Sequence, residues 1–281
     1  MPEIPELEAM KNVLNREVAG LAITSVEVRI PVPIRRPSKD EFVEILTGNC
    51  FGETERRGKY LLNRLGSGHL LAVHLMLTGR LKLTQPSEKI GKRIGWLLTF
   101  ENESQLRYYD YRLDGRVYLV GEGEDALVPR LVEMGPDALD PELTYDAFRA
   151  RLRKYPGQIK RTLVNDAFIC GIGNAYSDEI LFAAGVYPFA RARDLTEEQI
   201  SGLYAAIREV YDWSIPIVAE KMGATIDDKF RDHLKVHRKG GHPCPTCGSN
   251  ITEVSPNNRI TSYCRTCQDW GKTGVVEASI P

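Results

Sequence analysis

No stretch of this 281-residue chain approaches the ~18 continuous apolar residues that a membrane-spanning helix requires, which excludes a helical membrane protein. Net charge is almost missing as well. Lys plus Arg number 37 against 38 Asp plus Glu, a balance of −1 that argues against a protein coating nucleic acid through bulk charge. Internal repeats and low-complexity tracts are absent, and 42% hydrophobic with 27% charged residues is an ordinary globular composition, which excludes intrinsic disorder. The opening Met1-Pro2-Glu3-Ile4-Pro5-Glu6 lacks the basic residues and apolar run of a secretory leader, so a cytoplasmic protein is expected. What is present is length: 281 residues exceed the ~100–200 of a typical domain and leave room for two folded units with a small appendage.

Cysteine is scarce and unevenly placed. Cys50 and Cys170 stand alone and read as small core side chains, whereas Cys244, Cys247, Cys264 and Cys267 form a C-x2-C-x16-C-x2-C array. Without a leader disulfides are disfavoured, and this spacing matches a four-thiolate zinc ribbon in which each C-x-x-C turn brings two sulfurs round one tetrahedral ion. One structural Zn2+ is therefore expected, with no open position for chemistry. His242 lies two residues before Cys244 and reads as a surface residue.

Periodicity divides the rest. An amphipathic helix is expected over 5–14, where Leu7, Met10, Val13 and Leu14 recur at helical spacing behind a proline and acids. Short apolar or alternating runs over 23–30, 60–65, 69–75, 80–83, 94–100 and 116–120 suggest a β-sandwich or barrel. Residues 135–142 read as a linker, 143 to about 221 as helical, and the segment from about 223 as a basic approach to the zinc ribbon. Trp96, Trp213 and Trp270 read as packing residues. The expected fold class is α+β: an N-terminal sandwich domain (1–134), a helical domain (143–222) and a zinc-ribbon hairpin (231–270).

Local charge qualifies the neutral total. Residues 151–174 carry Arg151, Arg153, Lys154, Lys160 and Arg161 against Asp166 alone, a net +4. Residues 231–268 carry six basic groups against Asp232 and Glu253, again +4. The first segment contains Gly171-Ile172-Gly173-Asn174, a turn of the kind that lets backbone N–H groups and a following helix N-terminus hold phosphate, although glycines of this kind more often only end a helix. Two cationic modules on a neutral chain, with Arg259 in the second, point to a protein that grips a nucleic-acid backbone.

The N-terminus carries reactive chemistry. Removal of Met1 would leave Pro2 with a free secondary amine, and an α-amino group has a reference pKa of about 7.7–8.0 against about 10.4 for lysine. Such an amine attacks aldehyde-level carbon to form an iminium ion, an electron sink for elimination, with Glu3 beside it as a general acid or base. Taken alone, Pro2-Glu3 reads more readily as a frayed terminus with an incidental proline.

Together, Pro2-Glu3-Ile4-Pro5-Glu6-Leu7-Glu8, Arg56-Arg57-Gly58-Lys59-Tyr60, His74-Leu75-Met76-Leu77-Thr78-Gly79, Gly171-Ile172-Gly173-Asn174-Ala175-Tyr176-Ser177-Asp178-Glu179 and the ribbon ending Tyr263-Cys264-Arg265-Thr266-Cys267-Gln268 resemble, in order, the formamidopyrimidine-DNA glycosylase / endonuclease VIII family. The resemblance implies a β-sandwich, a helix-two-turns-helix domain and a zinc finger with damaged double-stranded DNA held between them, in a monomeric bacterial-type repair enzyme acting at the nucleoid. It implies Pro2 as nucleophile, Glu3 as acid/base, Glu6 as a buried supporting carboxylate and Lys59 as a phosphate-contacting lysine that assists catalysis. DNA contacts are implied for His74, Leu77, Arg112, Lys160, Asn174, Tyr176 and Arg259. The activity implied is excision of 8-oxoguanine- or formamidopyrimidine-type bases followed by β,δ-elimination. Alternatives are a relative preferring oxidised pyrimidines or abasic sites, and a lesion-binding protein with little turnover.

Three departures from the family pattern stand out, the first two of which bear on lesion choice. Leu77 stands where the closest formamidopyrimidine-type enzymes have methionine, and Asp110-Tyr111-Arg112-Leu113-Asp114-Gly115 replaces Asp-Pro-Arg-Arg-Phe-Gly. Arg112 retains the intercalating arginine, but Asp114 occupies the aromatic wedge position, where it is expected to repel phosphate. The segment 223–230 is shorter and more acidic than the loop that caps flipped 8-oxoguanine in the purine-preferring branch, which should weaken discrimination of oxidised guanine. Asn165-Asp166 stands where Asp-Gln or Asp-Asn is usual.

Overall fold

The computed structural model describes residues 1–222, 230–256 and 259–268; residues 223–229 of the segment expected to be a short cap, and Trp270, lie outside the described residues. The chain divides into two compact units, Met1–Glu133 with Ile215–Phe230, and Met134–Ser214 with Arg231–Pro281. The architecture is mixed α+β.

The first unit opens on α1 (Ile4–Glu17), as the apolar spacing predicts. Its N-terminus has a reciprocal capping box between Glu3 and Glu6 and a proline in the first turn, which satisfy N–H groups that have no partner inside a helix. Leu7, Met10, Val13 and Leu14 are buried. β1 (Ile23–Val28), β2 (Ile34–Arg36), α2 (Lys39–Leu46), β3 (Thr54–Arg57), β4 (Tyr60–Arg64), β5 (Leu70–His74), β6 (Gly79–Thr84), β7 (Ile94–Phe100), β8 (Gln105–Asp110) and β9 (Arg116–Val120) follow. They form a four-stranded sheet, β1-β7-β8-β6, and a five-stranded sheet, β2-β9-β5-β4-β3. Only β2–β9 is parallel among these pairs. Apolar residues of both sheets, among them Val73 and Leu119 from one and Trp96 and Leu106 from the other, share one core with α1 and α2. Trp96 stacks on Tyr108 at 5.3 Å, so it packs in the core as expected.

Four elements lie outside the expected runs, β2, α2, β3 and β8, and two of them, β3 and β8, escape the sequence pattern because their charges serve partners elsewhere. In β3, Arg56 is paired with α1; in β8, Arg107 is fully buried and donates to Gln105 and to the Gln85 and Glu88 carbonyls. α2 begins at a Ser38/Glu41 capping box that the sequence does display.

The second unit contains α3 (Tyr145–Leu152), α4 (Ile159–Leu163), α5 (Asn174–Ala183), most of α6 (Glu197–Met222), and the hairpin of β10 (Thr252–Val254) and β11 (Thr261–Tyr263). The segment 135–142 is packed rather than a free linker: Ala138 donates to the Cys170 carbonyl and Cys170 to the Pro136 carbonyl. Cys170 is buried as expected, whereas Cys50 is half-buried. The expected helical span 143–222 is shared, since Val218 and Met222 near the end of α6 pack in the first unit's core. Among the described residues, no helix is long and apolar enough to cross a membrane.

Candidate active site

Strand register gathers several of the expected site residues of the first unit. Tyr60 pairs with His74, and His74 with Arg116. The β3–β4 turn bearing Lys59, the chain leaving β5 and the chain entering β9 therefore lie side by side at one end of the five-stranded sheet, where neighbouring strands are ~4.8 Å apart. In the other sheet Gly79 pairs with Asp110, so the two crossovers between sheets, 75–78 and 111–115, are neighbours as well.

α1 reaches this end through Glu8. Its carboxylate accepts from Arg56 Nε at 2.6 Å and from Lys11 Nζ at 2.5 Å, while Arg56 Nη1 donates to the Gly58 carbonyl at 2.9 Å. Gly58 has a φ of +57°, a left-handed conformation that glycine adopts without strain, and it turns the chain directly into Lys59, which is 5% exposed. Pro2, Glu3 and Glu6 are all buried at the start of α1, and Glu6 Oε2 accepts from the Glu3 N–H at 2.9 Å. Glu8 and Arg56 were not expected as functional residues. Their signal is the opposite charge of two otherwise polar positions, and pairing across 48 residues is invisible without the fold.

His74 sets the first crossover. Its ring lies edge-on to Tyr60 at 4.9 Å and Nδ1 accepts from the Met76 N–H, which makes it a positioning residue for the turn. The second crossover is anchored by Asp110, which is fully buried. Asp110 Oδ1 accepts from Thr78 Oγ1 at 2.6 Å and the Arg112 N–H at 3.2 Å; Oδ2 accepts from Tyr108 Oη at 3.1 Å and the Gly115 N–H at 2.7 Å. Arg112 also donates its N–H to Thr78 Oγ1. Leu77 and Arg112 are exposed on these adjoining loops. Asp114 is half-buried, with Oδ1 3.5 Å from Thr78 Oγ1 on the neighbouring crossover.

In the second unit, Asp166 Oδ1 accepts from the N–H of Gly171 (φ +101°), fixing the glycine turn before α5 and giving the unusual Asn165-Asp166 pair a purpose. Asn174, the first residue of α5, donates Nδ2 to the Ile260 carbonyl at 2.8 Å. Exposed Arg259 is thereby set beside a residue tied to a helix N-terminus, where free N–H groups and the helix dipole favour anions. Lys160 differs from expectation. It is buried, and Nζ donates to Asp178 Oδ1 at 2.5 Å, the Ile260 carbonyl at 2.9 Å and Thr261 Oγ1 at 3.0 Å, so its ammonium organises the turn bearing Arg259 instead of facing solvent. Tyr176 differs too: its ring is fully buried 5.7 Å from Tyr211, and its hydroxyl is bonded to His233 Nε2, leaving it no exposed edge for DNA.

Asp178 and Glu179 fasten the hairpin to α5. Asp178 Oδ2 accepts from the Ser262 N–H and lies 2.7 Å from His237 Nδ1. Glu179 accepts from the N–H groups of Lys235, Val236 and His237; burial pushes its carboxyl above the usual range, opposed by those donors. Two adjacent acids in an otherwise apolar helix were the available signal for this role.

Cys244, Cys247, Cys264 and Cys267 bring four sulfurs within 4.8 Å of one another. The Cys244–Cys267 and Cys247–Cys264 separations of 3.8 and 3.5 Å lie at and just below the ~3.8 Å edge of a tetrahedron with ~2.3 Å metal–sulfur bonds. Ser249 Oγ, 2.8 Å from Cys247 Sγ, holds that thiol down to about 6, toward the thiolate a metal requires. The donor set fits zinc. His242 is exposed.

Comparison with known proteins agrees with this geometry. Residues 1–117 match the formamidopyrimidine-DNA glycosylase N-terminal domain and residues 134–225 the formamidopyrimidine-DNA glycosylase H2TH domain. A formamidopyrimidine-DNA glycosylase of Desulforamulus reducens is 36% identical over 278 residues, covering 95% of this chain and 99% of the relative. The Lactococcus lactis Fpg in complex with abasic-site DNA superimposes with a TM-score of 0.86 at 28% identity over 96% of this chain and all of that one. MutM in complex with DNA containing carbocyclic 8-oxo-G gives 0.85 at 30% identity, with the same coverage. With a sandwich, an H2TH domain and a four-cysteine hairpin in the order these relatives share, the chain belongs to the formamidopyrimidine-DNA glycosylase family of DNA-repair enzymes.

Proposed function

We propose that the protein excises ring-opened and oxidised bases of the formamidopyrimidine and 8-oxoguanine type from duplex DNA and cleaves the resulting abasic site by β,δ-elimination. Removal of Met1 frees the Pro2 amine. Its lone pair attacks C1′ of the damaged nucleotide, and the base leaves with the electrons of the glycosidic bond. The new ammonium loses its proton, Glu3 protonates the ring oxygen, and opening of the sugar gives an iminium. That cation accepts the electrons released when a C2′ proton is removed, so the 3′ phosphate departs; a second elimination expels the 5′ phosphate. Lys59 neutralises phosphate charge beside the lesion, and Arg259 with the N-terminus of α5 holds the backbone. The four cysteines would hold one structural Zn2+, which cross-links the hairpin and supplies no chemistry. The protein works as a monomer on nucleoid DNA in the cytoplasm.

What carries this reading is the buried, capped start of α1, with Pro2 and Glu3 at the head of a helix that Arg56 ties to the turn of Lys59. Borohydride tests it: mature protein incubated with abasic DNA should be trapped as a covalent adduct at Pro2. An intact Met1 in active protein, or adduct at a lysine alone, would overturn it. Ranking cleavage of duplexes containing formamidopyrimidine, 8-oxoguanine, thymine glycol and an abasic site then decides lesion preference.

A further inference from the structure

We propose that Tyr111 is the aromatic wedge of this enzyme, inserting its ring into the base stack beside the nucleotide that has been turned out of the duplex; the proposal rests on reading the site as a DNA glycosylase. Tyr111 is 64% exposed, more than any other exposed large apolar side chain among the described residues, and Leu77 on the adjoining crossover is 47% exposed. The two side chains sit on adjoining crossovers, at the end of the five-stranded sheet that bears Lys59, and form an exposed apolar pair there.

The backbone around Tyr111 is held firmly. Asp110 on one side accepts four hydrogen bonds while fully buried, and Arg112 on the other donates its N–H to both Asp110 Oδ1 and Thr78 Oγ1. Thr78 follows Leu77 directly, so one hydroxyl fixes the spacing of all three exposed side chains. Beyond Arg112 the chain turns back: Leu113 takes a φ of +57°, Asp114 is half-buried near Thr78, and Gly115 is locked on Asp110. Only Tyr111 and Arg112 of this loop therefore point outward.

Base-stack DNA is the occupant this chemistry suits. Extruding a nucleotide leaves an unstacked gap, which apolar or aromatic wedges fill in other DNA-bending proteins, and every base offers a π-face to a phenol ring. The adjacent Arg112 guanidinium supplies the cation for phosphate or for the edge of the unpaired base. An aspartate at 114 cannot stack, and Tyr111 is the one aromatic ring that this loop exposes.

The test uses the full-length enzyme and a duplex with 2-aminopurine opposite a tetrahydrofuran abasic analogue, a readout that needs no chemistry. Wild type and Tyr111→Phe should quench the probe on binding, and Tyr111→Ala should not. With cleavable abasic DNA, the ratio of kcat/KM on duplex to that on single strand should fall about tenfold for Tyr111→Ala and stay near wild type for Tyr111→Phe, in keeping with the strength of base–aromatic stacking. Circular dichroism melting confirms that each variant is folded. Quenching by Tyr111→Ala equal to wild type, or an unchanged duplex to single-strand ratio, would overturn the wedge. Failure of borohydride trapping with a normal 2-aminopurine response would instead overturn the glycosylase reading and leave the wedge standing.

Discussion

Asp110→Asn should loosen the loop that presents Arg112 without touching an exposed side chain. Asp110 offers acceptors to two backbone N–H groups, Arg112 and Gly115, and two hydroxyls, Thr78 and Tyr108. An asparagine must turn an NH2 toward one pair. The less costly choice keeps the amide oxygen on Gly115, whose N–H is 2.7 Å away and cannot reorient, and turns the NH2 toward Thr78, whose hydroxyl rotates to accept it. Arg112 then loses one acceptor and the remaining bonds lose their charge. A hydrogen bond to a charged group contributes roughly 1.5–3 kcal/mol, so the total is about 3 kcal/mol, or roughly a hundredfold rise in loop opening. Amide exchange at Arg112 and Gly115 measures it directly. Protection within threefold of wild type would refute the lock. Gly115→Ala attacks the same lock independently, because its Cβ would lie 1.8 Å from Tyr108 Oη and 2.8 Å from Asp110 Oδ2.

Further outcomes follow from the same geometry. Lys160→Met removes the ammonium partner of the buried Asp178 carboxylate, which keeps Ser262 and His237, and should cost about 3 kcal/mol in the urea stability of the second unit; a loss under about 1 kcal/mol would show the pair to be dispensable. Arg56→Ala should lower lyase kcat about tenfold with DNA affinity retained, whereas Arg56→Lys, which restores the Glu8 pair, should recover part of it; equal losses in KM would contradict a positioning role. Arg259→Ala should weaken binding to every duplex alike and reduce the salt slope by about one, as read by fluorescence anisotropy across a salt series. Burial, with the Asp110 charge and hydrogen bond beside it, pushes the Tyr108 phenol above its ordinary range. Above pH ~10 the unfolded phenol ionises while the folded one stays protonated, so the folded state binds more protons and stability falls as pH rises. Tyr108→Phe should flatten that alkaline decline in a pH series of urea midpoints, and an unchanged slope would count against it.

Short-range patterns were legible in the sequence. The C-x2-C pairs, the α1 periodicity and the alternating strands each depend on residues a few positions apart, and the fold has the hairpin, the helix and most strands at those positions. Polar elements were harder, since β3 and β8 owe their burial to partners elsewhere in the chain. Only the tertiary structure decided which cations face outward. Lys160 and Arg259 look alike in sequence, yet one is consumed by Asp178, Ile260 and Thr261 and the other is exposed, because a buried ammonium must be paired and a surface one need not be. It also decided the loop: Asp110 and Thr78 hold its backbone and leave Tyr111 exposed, a result of strand register joining residues 32 positions apart. Residue types and short spacings set the available chemistry, while pairing across the sheets set where each group points.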